Sequence, residues 1–111
     1  MDLNYYTELK GTIRIAGGTQ PKNAGLCAFH YLQHGLSPID FMCIGANANQ
    51  QATKAMGVFR HIVENSEDFK TVEVAFQPML FKTPTKDNAT GVMQDKNVTV
   101  WRTVLFNRKK I

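Results

Sequence analysis

The sequence predicts an α+β domain with the element order βαβαββ, in which two helices cover one sheet. Three observations support this: short apolar runs of strand length, two segments with apolar residues at helical spacing, and turn residues between them. Neither predicted helix has enough apolar surface to be stable alone. With 111 residues and 43% hydrophobic residues, the chain is expected to form one domain over residues 11–111, preceded by an extension over residues 1–10.

The first half of the chain is predicted to form a strand, a helix and a second strand. Residues 12–16 alternate apolar and polar side chains between glycines, as a strand does. Asn23 is predicted to cap a helix over residues 23–34, with Gly35 as its left-handed stop. Residues 39–44 (IDFMCI) form a nearly continuous apolar run, which indicates a central strand buried on both faces.

The second half is predicted to form a long helix and two strands. Residues 47–64 repeat apolar side chains at spacings of four and three, which is the helical period. Residues 69–76 alternate as a half-buried strand does, and residues 98–106 are predicted as the closing strand. Residues 81–96 are rich in Lys, Thr, Pro, Asp and Asn, so we expect a hairpin with a long connection.

Positive charge is concentrated in the last third of the chain. Residues 1–77 contain six basic and seven acidic residues, whereas residues 78–111 contain seven basic and two acidic ones, within a total net charge of +4. A polyanion would be attracted to that part, although basic loops can also serve solubility alone.

The residue patterns do not favour an enzyme, a metal site or a secreted protein. His30 and His34 are four apart on one predicted helix without a carboxylate or cysteine ligand beside them, and no phosphate-loop or dinucleotide fingerprint occurs. Cys27 and Cys43 lie in apolar stretches, so we interpret both as reduced core thiols. No catalytic residue, metal, cofactor or small-molecule substrate is predicted, and a cytoplasmic location without membrane contact is expected.

The segment that starts at Ile44, IGANANQQATKAMGVFRHIV, resembles the pattern IGAxAxxQAxKAxxxxRxxV of the stage V sporulation protein S family. The matching positions are Ile44, Gly45, Ala46, Ala48, Gln51, Ala52, Lys54, Ala55, Arg60 and Val63. Residues 13–35 are similar more loosely. The resemblance implies an Alba-like two-layer sandwich, with two helices packed on one face of a four-stranded mixed sheet, and a homodimer.

In Alba-like proteins the loop after the first strand and the hairpin between the last strands contact nucleic acid. Lys22 occupies that loop here, although Gly17 and Gly18 stand where archaeal Alba proteins typically have paired lysines. The hairpin connection is also longer than in the sporulation family. Basic side chains bind nucleic acid by neutralising phosphates, and backbone N–H groups at helix starts, as near Asn23, can assist. The candidate nucleic-acid-binding residues are Lys22, Asn23, Lys54, Lys82, Lys86, Lys96 and Arg102.

The leading hypothesis is a non-enzymatic protein that binds DNA or RNA through the phosphate backbone and its shape. Base readout is not expected, because exposed polar side chains suited to it cluster only at residues 47–51. Trp101 is interpreted first as packing, with base stacking or a dimer contact as alternatives. The rival hypothesis is a module for protein interaction or assembly, which would depend on Met79, Leu80 and Trp101.

Overall fold

The structure is a computed structural model of the chain, and it describes residues 11–36, 38–86 and 89–107. The predicted extension over residues 1–10 lies outside the described residues. In chain order the elements are β1 (Thr12–Ile15), α1 (Pro21–Gln33), β2 (Asp40–Ile44), α2 (Ala46–Glu64), a short 3-10 helix (Glu67–Phe69), β3 (Val72–Lys86) and β4 (Met93–Asn107). This order agrees with the predicted βαβαββ succession.

The four strands form one mixed sheet in the order β1-β2-β4-β3. β1 and β2 are parallel, and α1 provides the crossover that a parallel pair requires. β4 runs antiparallel to both of its neighbours, β2 and β3. The register places Phe41 of β2 between Ile13 of β1 and Trp101 of β4. The predicted α+β class with a four-stranded mixed sheet and two helices is therefore confirmed.

Both helices pack on the same face of this sheet. Side chains alternate between faces along a strand, and those of Ile13 and Phe41 point to the face where the buried helix residues lie. The ring of Phe41 contacts Phe59 of α2 and Phe76 of β3 at centroid distances of 6.1 and 6.0 Å, and Phe59 and Phe76 are 6.3 Å apart. This aromatic trio joins the long helix to the middle and the edge of the sheet.

The opposite face of the sheet has a second, smaller cluster. Met42, Val98 and Val100 are buried there, and Met79 and Phe81 pack against them. Since Met42 and its neighbours in β2 point to opposite faces, β2 buries side chains on both sides. The prediction of a central strand buried on both faces is confirmed.

β3 and β4 extend much further than predicted. Each has 15 residues, and they are paired without interruption from Val72 and Asn107 to Lys86 and Met93. The prediction of a long connection over residues 81–96 is therefore wrong, because most of that segment belongs to the strands. We call residues 82–86 and 93–97, which lie beyond the last pair between β2 and β4, the arm.

Two prolines in β3 explain why the sequence of this segment does not have the pattern of a strand. Proline lacks a backbone N–H, so it occurs in a strand where its nitrogen points away from the neighbouring strand. β3 is an edge strand, and Pro78 and Pro84 are an even number of residues apart, so their nitrogens have the same orientation. Because pairing with β4 continues through both prolines, we infer that both nitrogens face the free edge.

The start of α1 also differs from the prediction. Gln20 is the residue before the helix and Pro21 is its first residue, so Asn23 lies within the first turn and is not the cap. Proline is favoured at this first position because its fixed φ suits a helix and its missing N–H would have no partner within it. The predicted stop is confirmed, since Gly35 has φ of 70° just after the helix.

The two helices approach each other closely at Gly25, which yields a prediction about stability. A Cβ at this position would lie 2.6 Å from Cγ1 of Val58 and 3.1 Å from the carbonyl oxygen of Ala55. Exchanging Gly for Ala gains up to about 1 kcal/mol of helix propensity, whereas overpacking costs about 1–3 kcal/mol. Gly25→Ala is therefore expected to lower the free energy of unfolding, by up to about 2 kcal/mol, in urea denaturation.

Gly57 is the matched control, because it also lies within a helix but a Cβ at this position would have no neighbouring atom within 4 Å. Gly57→Ala should stabilise the protein by about 0.5–1 kcal/mol through helix propensity alone. If Gly25→Ala stabilised the protein equally, the close approach of the two helices would be contradicted.

Candidate nucleic-acid interface

Two loops and two helix starts meet at one end of the sheet. β1 and β2 are parallel, so their carboxyl ends lie at the same edge, and each leads into a helix. Nε2 of Gln51 in α2 donates a hydrogen bond to the carbonyl oxygen of Thr19 at 3.2 Å. A Cβ on Gly17 would lie 3.3 Å from Cβ of Asn47. The loop after β1 therefore packs against the first turns of α2, and we call this part of the molecule the loop end.

The arm leaves the sheet from the same end. Ile44, the last residue of β2, pairs with Val98 of the antiparallel strand β4. The residues of β4 that precede Val98 therefore continue past the carboxyl end of β2, still paired with β3 as far as Lys86 and Met93. Five residues at about 3.3 Å each carry the arm about 17 Å beyond the body of the sheet.

Three predicted binding residues, Lys82, Lys86 and Lys96, lie on the arm and are exposed. Lys82 and Lys86 are four residues apart in β3, so their side chains share a face, about 13 Å from each other. Lys96 pairs with Thr83 and so points to the other face. The acidic residue on the described arm is Asp95, so both faces of the arm carry positive charge and the described arm residues sum to +2.

The candidate binding residues in the first half of the chain lie near the loop end. Lys22 and Asn23 are exposed in the first turn of α1. Lys54 is exposed on α2, one turn after Gln51, and residues three apart share a helix face. That face is the one whose glutamine contacts the loop after β1. Lys54 lies about 12 Å along the helix from its start, so it is at the margin of the loop end.

Both helix starts at the loop end present backbone N–H groups. Gln20 and Gly45 precede α1 and α2, and neither forms a side-chain hydrogen bond that caps its helix. Gly45 has φ of 89°, a left-handed conformation that favours glycine. The first N–H groups of a helix have no acceptor within it, and the helix dipole adds partial positive charge there. Such groups are suited to donate hydrogen bonds to phosphate oxygens.

Asn49 connects the start of α2 to the sheet through side-chain hydrogen bonds. Its Oδ1 accepts hydrogen bonds from Sγ of Cys43 and from Nε1 of Trp101, both at 3.2 Å. Its Nδ2 donates to the carbonyl oxygen of Gly45 and to Oγ1 of Thr99, both at 3.4 Å. The sequence marked Asn49 only as one polar residue of residues 47–51. Trp101 was the available signal, because a buried indole N–H usually requires an acceptor.

The same hydrogen bonds assign Cys43 and Trp101 to packing. Burial raises the pKa of the Cys43 thiol to about 11, so it stays protonated at neutral pH and is not a nucleophile. Trp101 packs against the main core and its indole N–H is bound, which favours packing over base stacking. Cys27 and Cys43 are both free thiols, with Cys27 partly buried, as predicted.

Arg102 lies apart from the arm and the loop end. It pairs with Asp40 at the beginning of β2, whereas the arm leaves from the carboxyl end of that strand. Its Nε and Nη2 donate to the two carboxylate oxygens of Asp40, at 3.0 and 2.9 Å. The Asp40 side chain is 0% exposed and that of Arg102 30%. Arg102 neutralises a buried carboxylate, so we exclude it from the interface for which the sequence proposed it.

A groove of about 400 Å³ separates the base of the arm from the start of α2. Its lining includes Gly45 and Asn49 on one side and Leu80 and Asn97 on the other. Asn97 in this lining pairs with Lys82, so the groove lies next to the first lysine of the arm.

The described residues contain neither a candidate metal site nor a candidate membrane-spanning helix. Within the described residues, no group of three His, Cys, Asp or Glu side chains is placed to hold a metal ion. None of the helices in the described part of the chain combines the length and apolar character needed to cross a membrane.

Comparison with known proteins gives no family assignment for this chain. Neither a family model nor a curated protein matches it.

Proposed function

We propose that this protein binds nucleic acid without catalysing a reaction, through a basic surface formed by the arm and the loop end. The observation that carries the proposal is the position of the arm. Lys82, Lys86 and Lys96 project from the same end of the sheet as Lys22 and the starts of both helices. These groups can contact successive phosphates of one backbone, which gives binding by charge and shape with little base readout.

The distribution of acidic residues supports an oriented approach to a polyanion. α2 ends and β3 begins at the opposite end of the molecule from the arm. Five acids of the described residues lie at that end, and three of them form ion pairs with Arg60, Lys70 and Arg102, which leaves a sum of −2. The five are Asp40, Glu64, Glu67, Asp68 and Glu73. Charge separated in this way steers a charged partner to the basic end.

The resemblance to the stage V sporulation protein S family and to Alba proteins supports the same proposal. In those proteins the hairpin between the last two strands and the loop after the first strand are the contact regions. We further propose an Alba-like fold and a homodimer for this chain. The sheet face without helices exposes apolar side chains suited to a subunit contact, among them Phe106 at 46% and Ile44 at 40%. Sedimentation analysis measures the oligomeric state.

Removing the lysines of the arm is the direct test. The triple variant Lys82→Ala, Lys86→Ala, Lys96→Ala is expected to bind more weakly, because three phosphate contacts are lost. The plot of log affinity against log salt concentration should become less steep. The magnitude of its slope should decrease by up to about 2.7, at about 0.9 per contact on duplex DNA. Fluorescence anisotropy over a range of salt concentrations, with duplex DNA, single-stranded DNA and RNA, measures both quantities and identifies the preferred ligand.

The matched control removes positive charge from the other end of the molecule. Arg60→Ala, Lys70→Ala is compared with Lys82→Ala, Lys86→Ala, so that each variant loses two charges. The control variant should keep its salt slope, since its exposed ion pairs contribute little to stability or to the interface. Equal losses in the two double variants would show that net charge, and not the arm, governs binding.

A protein-interaction module is the second candidate, and one residue favours it. Leu80 is 77% exposed beside the groove, whereas Met79 packs into the smaller cluster and Trp101 into the main core. Of the three residues named for the rival hypothesis, Met79, Leu80 and Trp101, it therefore depends mainly on Leu80. Binding that screens with salt and ignores Leu80→Ala supports nucleic acid, and salt-independent binding that requires Leu80 supports a protein partner.

A further inference from the structure

Two neighbouring apolar side chains are exposed at the tip of the arm. Val92 and Met93 are 56% and 59% exposed, at the end of the hairpin farthest from both hydrophobic clusters. Exposed apolar residues that stand singly are normal on protein surfaces. An adjacent pair on a projecting element is different, because both side chains are more than half exposed and belong to neither hydrophobic cluster.

The tip is held in position although it projects. Met93 is paired with Lys86 in the last described pair of the strands. Gly91 has φ of 73°, which turns the chain back, and the N–H of Val92 donates to Oγ1 of Thr90 at 3.3 Å. A partner that binds the tip therefore meets Met93 at the end of an ordered ladder, with Val92 directly before it, and less conformational entropy is lost on binding.

Positive charge flanks the apolar pair on both strands. Lys86 lies directly across from Met93, and Lys96 follows three residues later in β4. Lys86 and Lys96 point to opposite faces of the arm, so when each face meets one phosphate backbone of a duplex, the tip between the backbones faces the base pairs. Apolar side chains in that position enter between stacked base steps and kink the duplex.

We infer that Val92 and Met93 form an apolar wedge that inserts between base pairs of duplex DNA and bends it. This inference rests on the proposed function and adds its mode of binding. Inserting the wedge separates one base step, and burying the two side chains offsets that cost. The protein should therefore prefer duplexes in which separation is easier, such as those with a mismatch or a flexible pyrimidine–purine step.

A membrane surface fits the tip less well. Gln94 and Asp95 follow directly after Met93 and are exposed, so the apolar surface ends after two residues. The binding of a membrane surface grows with the apolar area that is buried. The tip thus has enough apolar surface for one base step and little for a bilayer.

The experiment compares two DNA duplexes of equal charge, each about 20 base pairs long, one perfectly paired and one with a central mismatch. The protein should bind the mismatched duplex about tenfold more tightly, equal to about 1.4 kcal/mol, and should shorten the end-to-end distance of both by energy transfer. Val92→Ser, Met93→Ser should lose the preference and the bending and keep the salt slope. Leu105→Ser removes an exposed apolar side chain at the end of β4 away from the arm and should keep all three.

The outcomes separate the wedge from the proposed function. Equal affinity for both duplexes with no bending overturns the wedge and leaves nucleic-acid binding intact. The same holds if Leu105→Ser abolishes the preference as completely as the tip variant does. If no duplex, single strand or RNA is bound at low salt, the proposed function fails and the wedge with it, including the case in which anionic vesicles are bound instead.

Discussion

Phe41→Ala is expected to lower the free energy of unfolding by about 3–5 kcal/mol, the range for truncating a fully buried aromatic side chain. Phe41 is 0% exposed and contacts the rings of Phe59 and Phe76 at 6.1 and 6.0 Å. The loss combines the transfer of the ring to water with the cavity left between helix and sheet. Because domains of this size are stable by about 5–15 kcal/mol, the variant should lose a large fraction of its stability and unfold at a lower temperature.

Urea denaturation followed by circular dichroism measures the effect, and two further variants keep the measurement interpretable. Phe41→Leu should retain a cooperative transition if Phe41→Ala does not fold, since it leaves a smaller cavity. Leu80→Ala truncates a side chain that is 77% exposed and should change stability by about 0.5 kcal/mol or less. A loss below about 1 kcal/mol for Phe41→Ala would show that the aromatic trio is not the centre of the core.

Arg102→Met is expected to be as damaging, for an electrostatic reason. The carboxylate of Asp40 is 0% exposed and receives both of its described side-chain hydrogen bonds from Arg102. Methionine has a similar volume but no charge, so the variant leaves a buried carboxylate without its counter-ion. Breaking a buried ion pair in this way costs about 3–5 kcal/mol.

The double variant Asp40→Asn, Arg102→Met tests that reason, because it removes both charges and should recover much of the lost stability. The measurement is a double-mutant cycle in urea, with Asp40→Asn as the fourth corner. If the double variant is no more stable than Arg102→Met, the ion pair is not the cause. Variants that remain folded should bind nucleic acid with an unchanged salt slope, since Arg102 lies away from the arm.

The sequence was sufficient to predict the elements whose pattern follows from burial. The run over residues 39–44 is continuous because β2 lies between two strands and buries side chains on both faces, as Phe41 and Met42 show. The helical spacing over residues 47–64 is clear because α2 has one buried side. The arm was missed because its strands pair only with each other, so little burial imposes a pattern, and because prolines are typical of turns.

The candidate site was predictable in its charges but not in its geometry. Lysine counts identify a basic segment, whereas only the pairing of β3 with β4 shows that Lys82 and Lys96 point to opposite faces of a projecting hairpin. Arg102 shows the limit of such counting. Its partner Asp40 is 62 residues away in sequence, so no local pattern reveals that its charge serves the interior. The role of Asn49 depends on contacts of the same kind with Trp101.

The prolines of β3 also determine how copies of this protein can meet. An edge strand normally offers a row of backbone donors and acceptors that a strand from another molecule can extend. At Pro78 and Pro84 the donor is missing, so the outer side of the longest hairpin cannot template a growing cross-β stack. We therefore expect copies of the protein not to pair with one another through the outer edge of β3.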